Sequence, residues 1–373
     1  MMRVALISPP FESVPPRLYG GTERVVFNLC EGLTALGVEV VLFASGDSKV
    51  RVQLVPVIDQ ALRLRDVPVI DPNTYHVRMI ASVAKQAGDF DLIHNHHDYW
   101  MLPLTQMVDT PVLTTLHGRM DHRDIQSVFL SYPNGHYVSI SDSQRSLAPP
   151  LNWVRTVYNG LNLADFEFKE KSGQYLAFLG RISPEKRPDW AIEIAKAAGI
   201  PLKIAAKIEG RESQHYFDQR IKPHVDGRWV EYVGEISERE KSEFLGNALA
   251  LVFPIDWPEP FGLVMIEALA CGTPVLARPF GSVHEILENG VTGYAHSKVS
   301  VLAKLTKKIP ALSRKGCRDW VEKRFSLQRM AEDYLHAYRH ITRKRHDSHR
   351  HRRDFIYPVE CPSQRNIEGQ HQG

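Results

Sequence analysis

Cysteine is scarce: Cys30, Cys271, Cys317 and Cys361 are scattered over 373 residues without a C-x-x-C pair. Neither a zinc site nor a disulfide framework is indicated. No uninterrupted apolar run approaches the roughly 18 residues that span a bilayer. The opening MMRVALISPP lacks the basic, long apolar and small-residue regions of a signal peptide. A cytoplasmic protein is expected. Charge of one sign is also missing, because 46 Lys and Arg stand against 43 Asp and Glu, a net +3. Residues 341–373 hold seven Lys or Arg and four Asp or Glu, so the tail carries the whole excess and the body none. A neutral body argues against nucleic acid as a partner. The run RKRHDSHRHRR at 343–353 suits weak contact with an anionic surface, and its low-complexity composition cannot bury a core. Disorder is expected over 343–373.

What is present is a length beyond the roughly 250 to 300 residues of a single core, so two domains are expected. The first half alternates short apolar strands, at 4–8, 38–44, 92–94, 112–116, 137–140 and 154–157, with helical segments. The clearest helix, 22–36, repeats apolar residues at Val25, Val26, Leu29, Leu33 and Leu36. This is the pattern of a parallel sheet wrapped by helices, which binds ligands beyond the carboxyl ends of its strands. A second series places strands at 175–180, 202–206, 230–233, 250–254 and 274–277. Helices are expected between them at 188–198, about 216–221, 238–247 and 259–270. The polar stretch LADFEFKEKSG separates domains 1–165 and 166–322, and an amphipathic helix at 327–340, within 323–342, is expected to cross back onto the first domain.

The most informative segment reads PEPFGLVMIEALACGTPVLARPFGSVHEILENGVTGY from Pro258 to Tyr294. Glu259 and Glu267 stand eight positions apart around Phe261, Gly262 and Leu263, which open a helix. Gly262 permits close backbone approach, and the amides from Leu263 onward are unpaired donors that favour an anion. A carboxylate on each side of that anion suits polyol hydroxyls, so the segment is built for a sugar diphosphate. A buried helix, a Gly-Thr-Pro turn and a core strand, with both glutamates as solvated helix-end charges, would give the same pattern.

Other loops sit at the same ends of their strands. Gly20 and Gly21 precede a helix after the first strand, a backbone cradle that a simple turn would equally explain. Arg181 and Lys186 follow a strand in FLGRISPEKRPDW, where fixed cations can neutralise a diphosphate as a metal would. His117 follows the strand VLTTL and can hydrogen-bond a sugar or orient reacting groups. Ser141 is an N-cap candidate. His94, His96, His97 and Asp98 in LIHNHHDYW are competent metal ligands, but H-x-H-H lacks a closing ligand. Asp89 and Asp91 precede their strand and are expected to cap its entrance. No metal site is assigned.

Together these loops resemble the GT-B glycosyltransferases, specifically the retaining family 4 type, also called group 1. The likeness runs from Arg3 to about Tyr338 and rests chiefly on EPFGLVMIE, which matches the E-x7-E element, with FLGRISPEK, TLHG, VYNGLNLADF and YGGTERVVFNL beside it. The resemblance implies an α/β fold of two doubly wound Rossmann-like domains facing a central cleft, with the donor mainly on the second and the acceptor mainly on the first. It implies that Arg181 and Lys186 hold the donor diphosphate, and that Glu267 binds the ribose. Glu259 with the Phe261, Gly262 and Leu263 backbone would position the transferred sugar. Gly20 and Gly21 would face the phosphate across the cleft, and His117 would contact the sugar near the reacting carbon. The implied catalytic set is His117, Arg181, Lys186 and Glu259. Substrates would be a nucleoside diphosphate sugar and a hydroxyl of a sugar, glycan, lipid-linked or small-molecule acceptor, without cofactor or metal and with retained configuration.

Two loops depart from the family pattern. Gly281-Ser282-Val283-His284-Glu285 stands where Gly-Gly-x-Pro-Glu is usual, and AAKIEG replaces a glycine-rich turn near the base. A sugar phosphorylase would share the fold, with free phosphate in place of the nucleotide. A binder of anionic polymers acting through the tail is the remaining reading.

Overall fold

The computed structural model describes residues 1–66 and 69–353. Two all-parallel sheets organise it. The first is built from β1 (Arg3–Ile7), β2 (Glu39–Ser45), β3 (Gln53–Ile58), β4 (Leu92–Asn95), β5 (Val112–Leu116), β6 (His136–Ser139) and β7 (Trp153–Thr156) in the order β3-β2-β1-β4-β5-β6-β7. The second is built from β8 (Leu176–Arg181), β9 (Leu202–Lys207), β10 (Val230–Gly234), β11 (Ala250–Phe253), β12 (Val275–Ala277) and β13 (Gly293–Ala295) in the order β10-β9-β8-β11-β12-β13. Both orders reverse direction beside the first strand of the sheet, which opens a ligand crevice at the carboxyl ends.

Near-continuous apolar strands follow from burial on both faces. Along β1, Val4 and Leu6 pack with Val25, Val26, Leu29 and Leu33 of the helix Gly21–Ala35, whereas Ala5 and Ile7 pack with Met79 and Val83 of the helix Asn73–Gln86. In the second sheet Ala177 and Leu251 face Met265, Ile266 and Leu269 of the helix Leu263–Ala270. Phe178 and Val252 face Ile192 and Ala195 of the helix Pro188–Ala198.

Two strands escape the sequence reading, and both are edges. β3 contains Pro56, which cannot donate to a ladder and is tolerated at an edge, where the register shifts between Ala44 and Ser45. β13 has three residues, too few to show alternation.

Residues Leu161 and Ser326 form a bridge that returns the chain to the first half. The helix Leu327–Arg353 then buries Met330, Ala331, Tyr334, Leu335 and Tyr338 against the first sheet's core. Gly32 permits this crossing, since a Cβ there would lie 2.7 Å from the Cβ of Ala331. The helix extends past the expected end at 340 because the basic run to Arg353 contains neither Pro nor Gly to stop it. Of the tail expected to be disordered, 343–353 is therefore helical, and 354–373 lies outside the described residues. Among the described residues no helix is long and apolar enough to cross a membrane.

Candidate functional site

A cleft of about 740 Å³ opens where the carboxyl ends of the two sheets meet. All ten nominated residues line it: Gly20, Gly21, His117, Arg181, Lys186, Glu259, Phe261, Gly262, Leu263 and Glu267. They come from loops spread over almost 250 positions of sequence. Their convergence is produced by the two parallel sheets.

On the second half's wall, Gly262 adopts φ 79° and ψ 65° and caps the helix Leu263–Ala270. A side chain there would be strained in the left-handed region and its Cβ would come within 2.8 Å of Met265 Cε, so glycine is required for the turn. Glu259 is buried, with Oε2 2.5 Å from Lys186 Nζ, and that ammonium lies 4.9 Å from the Trp257 ring centroid. The two residues assigned separately, to sugar and to diphosphate, thus form one ion pair. Arg181 ends β8 with its guanidinium 3.6 Å from Glu185, and its buried Nε has no hydrogen-bond partner among the described residues. Trp257 Nε1 and Asn159 Oδ1, also on the cleft wall, are likewise unpartnered.

One turn inside the helix, Glu267 is buried and its Oε1 accepts from Lys241 Nζ at 2.8 Å. Burial pushes the Glu267 carboxyl above its ordinary range while Lys241 pulls it down. Burial likewise opposes the charge on Lys241, but Glu267 and Glu238 outweigh it and hold the ammonium above its ordinary value. Lys241 escaped the sequence reading because EREKSEFLG looks like a solvated, capped helix; Ser237 and Glu240 do form a capping box there.

The first half's wall is different in kind. Gly20 and Gly21 begin the helix Gly21–Ala35, and a Cβ on Gly21 would lie 3.6 Å from Leu263, so the two halves meet there. Behind them, burial pushes the Glu23 carboxyl up to about 7. His117 is half-buried at the end of β5, its amide donating to Asp98 Oδ1 at 3.3 Å and its Nε2 lying 2.8 Å from His96 Nδ1. His96 Nε2 lies 3.2 Å from His94 Nδ1, and His97 pairs instead with His76 at 2.7 Å. The H-x-H-H residues are therefore strung into hydrogen bonds, and among the described residues no three His, Cys, Asp or Glu converge as metal ligands. Asp91 accepts from the Arg3 amide at 2.8 Å, at the entrance to β1. Ser141 caps the helix Asp142–Ser146 by accepting from the Gln144 amide at 2.9 Å.

The departing loops acquire definite roles. Ser282 donates its hydroxyl to the Phe261 carbonyl at 2.6 Å and its amide to the Glu259 carbonyl at 3.0 Å, bracing the loop between the two glutamates. Gly281, at φ 60°, approaches so closely that a Cβ would fall 2.2 Å from the Glu259 carbonyl oxygen. Glu285 reaches into the first half, where it accepts from the amides of Asp142 and Ser143 at 2.8 Å each. Lys207 of the AAKIEG segment lines the cleft near Glu12 and Glu209.

This geometry accompanies matches to two known families that meet near the middle of the chain. Residues 19–164 match Glycosyltransferase Family 4, and residues 163–322 match the glycosyl transferases group 1. The chain belongs to the GT-B glycosyltransferases of family 4. The glycosyltransferase is 27% identical to a glycogen synthase of Mycobacterium tuberculosis over 348 residues, spanning 78% of this chain and 81% of that one. In fold it is similar to the sucrose-phosphate synthase of Thermosynechococcus elongatus, with a TM-score of 0.76 at 20% identity, over 91% of this chain and 99% of that one. An Anabaena protein solved in complex with UDP-glucose is also similar, with a TM-score of 0.71 at 15% identity over 90% and 99% of the two chains.

Proposed function

We propose that this glycosyltransferase moves a sugar from a nucleoside diphosphate sugar to an acceptor hydroxyl, with retention of anomeric configuration and without a metal ion. The observation that carries the reading is the grouping, on one cleft wall, of Arg181, Lys186 and the helix start at Gly262 between Glu259 and Glu267. Cations and first-turn amides meet a diphosphate there, and a carboxylate flanks it on each side for hydroxyls. The unpartnered Arg181 Nε is a further donor suited to a phosphate oxygen. The UDP-glucose bound by the Anabaena protein of the same fold supports a nucleotide-sugar donor.

The transition state of such a transfer is oxocarbenium-like, and negative charge grows on the leaving diphosphate. Arg181, Lys186 and the helix-end amides stabilise that charge from fixed positions, at no cost in reorganisation. Glu259 holds Lys186 in place and offers its remaining oxygen to the transferred sugar, while Glu267 binds the ribose. The leaving phosphate takes the acceptor's proton on the same face, so no protein base is assigned. Closure of the halves excludes water and aligns the acceptor.

The test is incubation of purified protein with UDP, GDP and ADP sugars, following melting temperature, nucleotide release and the anomer first formed by proton NMR. One donor should raise the melting temperature by mass action and release nucleotide with the donor's configuration kept. An inverted product would overturn retention. Formation of a sugar 1-phosphate when a glycoside is supplied with free phosphate, and no turnover of any nucleotide sugar, would instead identify a phosphorylase.

A further inference from the structure

The hydrogen-bonded string that ends at His117 begins on the C-terminal helix. Tyr338 Oη lies 2.7 Å from His94 Nδ1, and His94 Nε2 lies 2.7 Å from Thr115 Oγ1, which in turn lies 3.1 Å from Tyr334 Oη. From His94 the string passes through His96 to His117 at the cleft. Tyr334, Tyr338, His94, His96 and Thr115 are all buried. Burial holds all three imidazoles below their ordinary value, His117 at about 4, so near neutral pH each ring carries a single N–H. One proton per ring gives the string only two concerted arrangements. They differ in whether His117 offers the cleft a lone pair or an N–H.

We propose that Tyr338 fixes this choice: its hydroxyl donates to the lone pair of His94 Nδ1 and keeps the proton off that nitrogen, His96 turns its Nε2–H toward the same nitrogen as the weaker, sharing donor at 3.2 Å, and His117 donates from Nε2 to His96 Nδ1, which leaves His117 Nδ1 a bare acceptor for a substrate hydroxyl. The opposite arrangement would be driven from the other end, by Tyr334 donating to Thr115 and Thr115 to His94. Two differences favour Tyr338. Its contact with the ring is direct and short at 2.7 Å, whereas Tyr334 acts through a 3.1 Å contact and the intervening threonine. A phenol is also a stronger donor to imidazole than an aliphatic hydroxyl, and the Cys30 thiol, which lies near Tyr338, is a poor competing acceptor. Reversal would strand a phenolic proton in a fully buried site. Tyr338, His94 and His96 are then positioning residues, and the helix that crosses back from the second half contributes to catalysis through them.

The functional half of this inference rests on the reading of His117 as a substrate contact; the tautomer itself does not. Long-range imidazole NMR of the full chain labelled with ¹⁵N-histidine, without ligand, reads the protonated nitrogen directly, with His117 assigned from His117→Gln. The proton is expected on Nε2 of His117 in the wild type and in Tyr334→Phe, and on Nδ1 in Tyr338→Phe. Turnover of Tyr338→Phe should fall about tenfold, the worth of one neutral hydrogen bond, with donor KM unchanged. His96→Gln cuts the string one link from the cleft and should make both His117 nitrogens populated; it stands in should Tyr338→Phe fail to fold. A wild-type proton on Nδ1, or a proton that moves in Tyr334→Phe and not in Tyr338→Phe, would overturn the proposal. A proton that moves with turnover unchanged would overturn His117 as a substrate contact.

Discussion

The two walls of the cleft solve the burial of polar side chains in opposite ways. On the second half, buried Glu259 and Glu267 each face an ammonium, Lys186 at 2.5 Å and Lys241 at 2.8 Å. On the first half, the rings of His94, His96 and His117 hydrogen-bond to one another, Asp98 beside them accepts from the His117 amide, and burial drives each ring toward the neutral form. A charged wall answers a diphosphate, whose own charge must be met. A string of neutral imidazoles answers hydroxyls, which need direction more than charge. The same cleft therefore separates the electrostatic part of the proposed transfer from the part that orients sugar and acceptor.

The largest effect expected from breaking this contrast is at Lys186. Lys186→Ala removes a cation and leaves Glu259 buried without its partner, so turnover should fall by roughly 10² to 10³, as for one preorganised donor. EDTA should leave the wild-type rate unchanged. Activity abolished by EDTA and restored by manganese would show that the charged wall does not suffice. Next comes Glu267→Ala, which strands Lys241 with Glu238 alone and should lower stability by about 3 kcal/mol in urea melts. Replacing the pair together, Glu267→Leu with Lys241→Met, should recover most of that stability while donor binding stays lost. Recovery of both would mean that Glu267 has only a structural role.

A smaller effect should come from pH, and it tests the neutral imidazoles. His117 binds its proton at about 4 in the folded chain against 6.5 ordinarily, so between those values the unfolded chain binds more protons. Its contribution to stability is complete above about 6.5 and is lost as pH falls toward 4, on the order of 1 to 2 kcal/mol by about pH 5. Glu23, raised to about 7, acts with the opposite sign over an overlapping window. The quantity to measure is thus the difference between wild type and His117→Gln in urea midpoints at about pH 7.5 and about pH 5. No difference in slope would mean that His117 is not held neutral by the fold. The smallest effect belongs to the tail. Removal of residues 344–373 keeps Ile341 and the residues before it that pack on the first sheet's core, and should leave melting temperature and turnover unchanged while reducing salt-sensitive binding to anionic vesicles.

Local features were legible in the chain itself. The strand series, the helix over 188–198, the Ser141 cap and the turn at Gly262 depend on side-chain period and on φ and ψ preferences within a few residues, which the sequence states directly. The edge strands β3 and β13 were not, because β3 carries Pro56 and β13 is short, whereas the opposite edges β7 and β10 were. The lining of the cleft was legible as a set of residues, since each stands next to a strand's end or a helix's start. Its pairings were not. Lys186 meets Glu259 across 73 positions, Lys241 meets Glu267 across 26, His96 meets His117 across 21, and Glu285 caps a helix 143 positions away. Such distances are decided by strand order, register and the return of the last helix, so a lysine in EREKSEFLG and a histidine in LIHNHH keep several equal readings until the sheets bring one partner within reach. The sequence by itself determined most of the elements and the loops that line the cleft. Only the tertiary structure decided which buried charges are matched and which imidazoles share their protons, because burial and proximity belong to the packed chain as a whole.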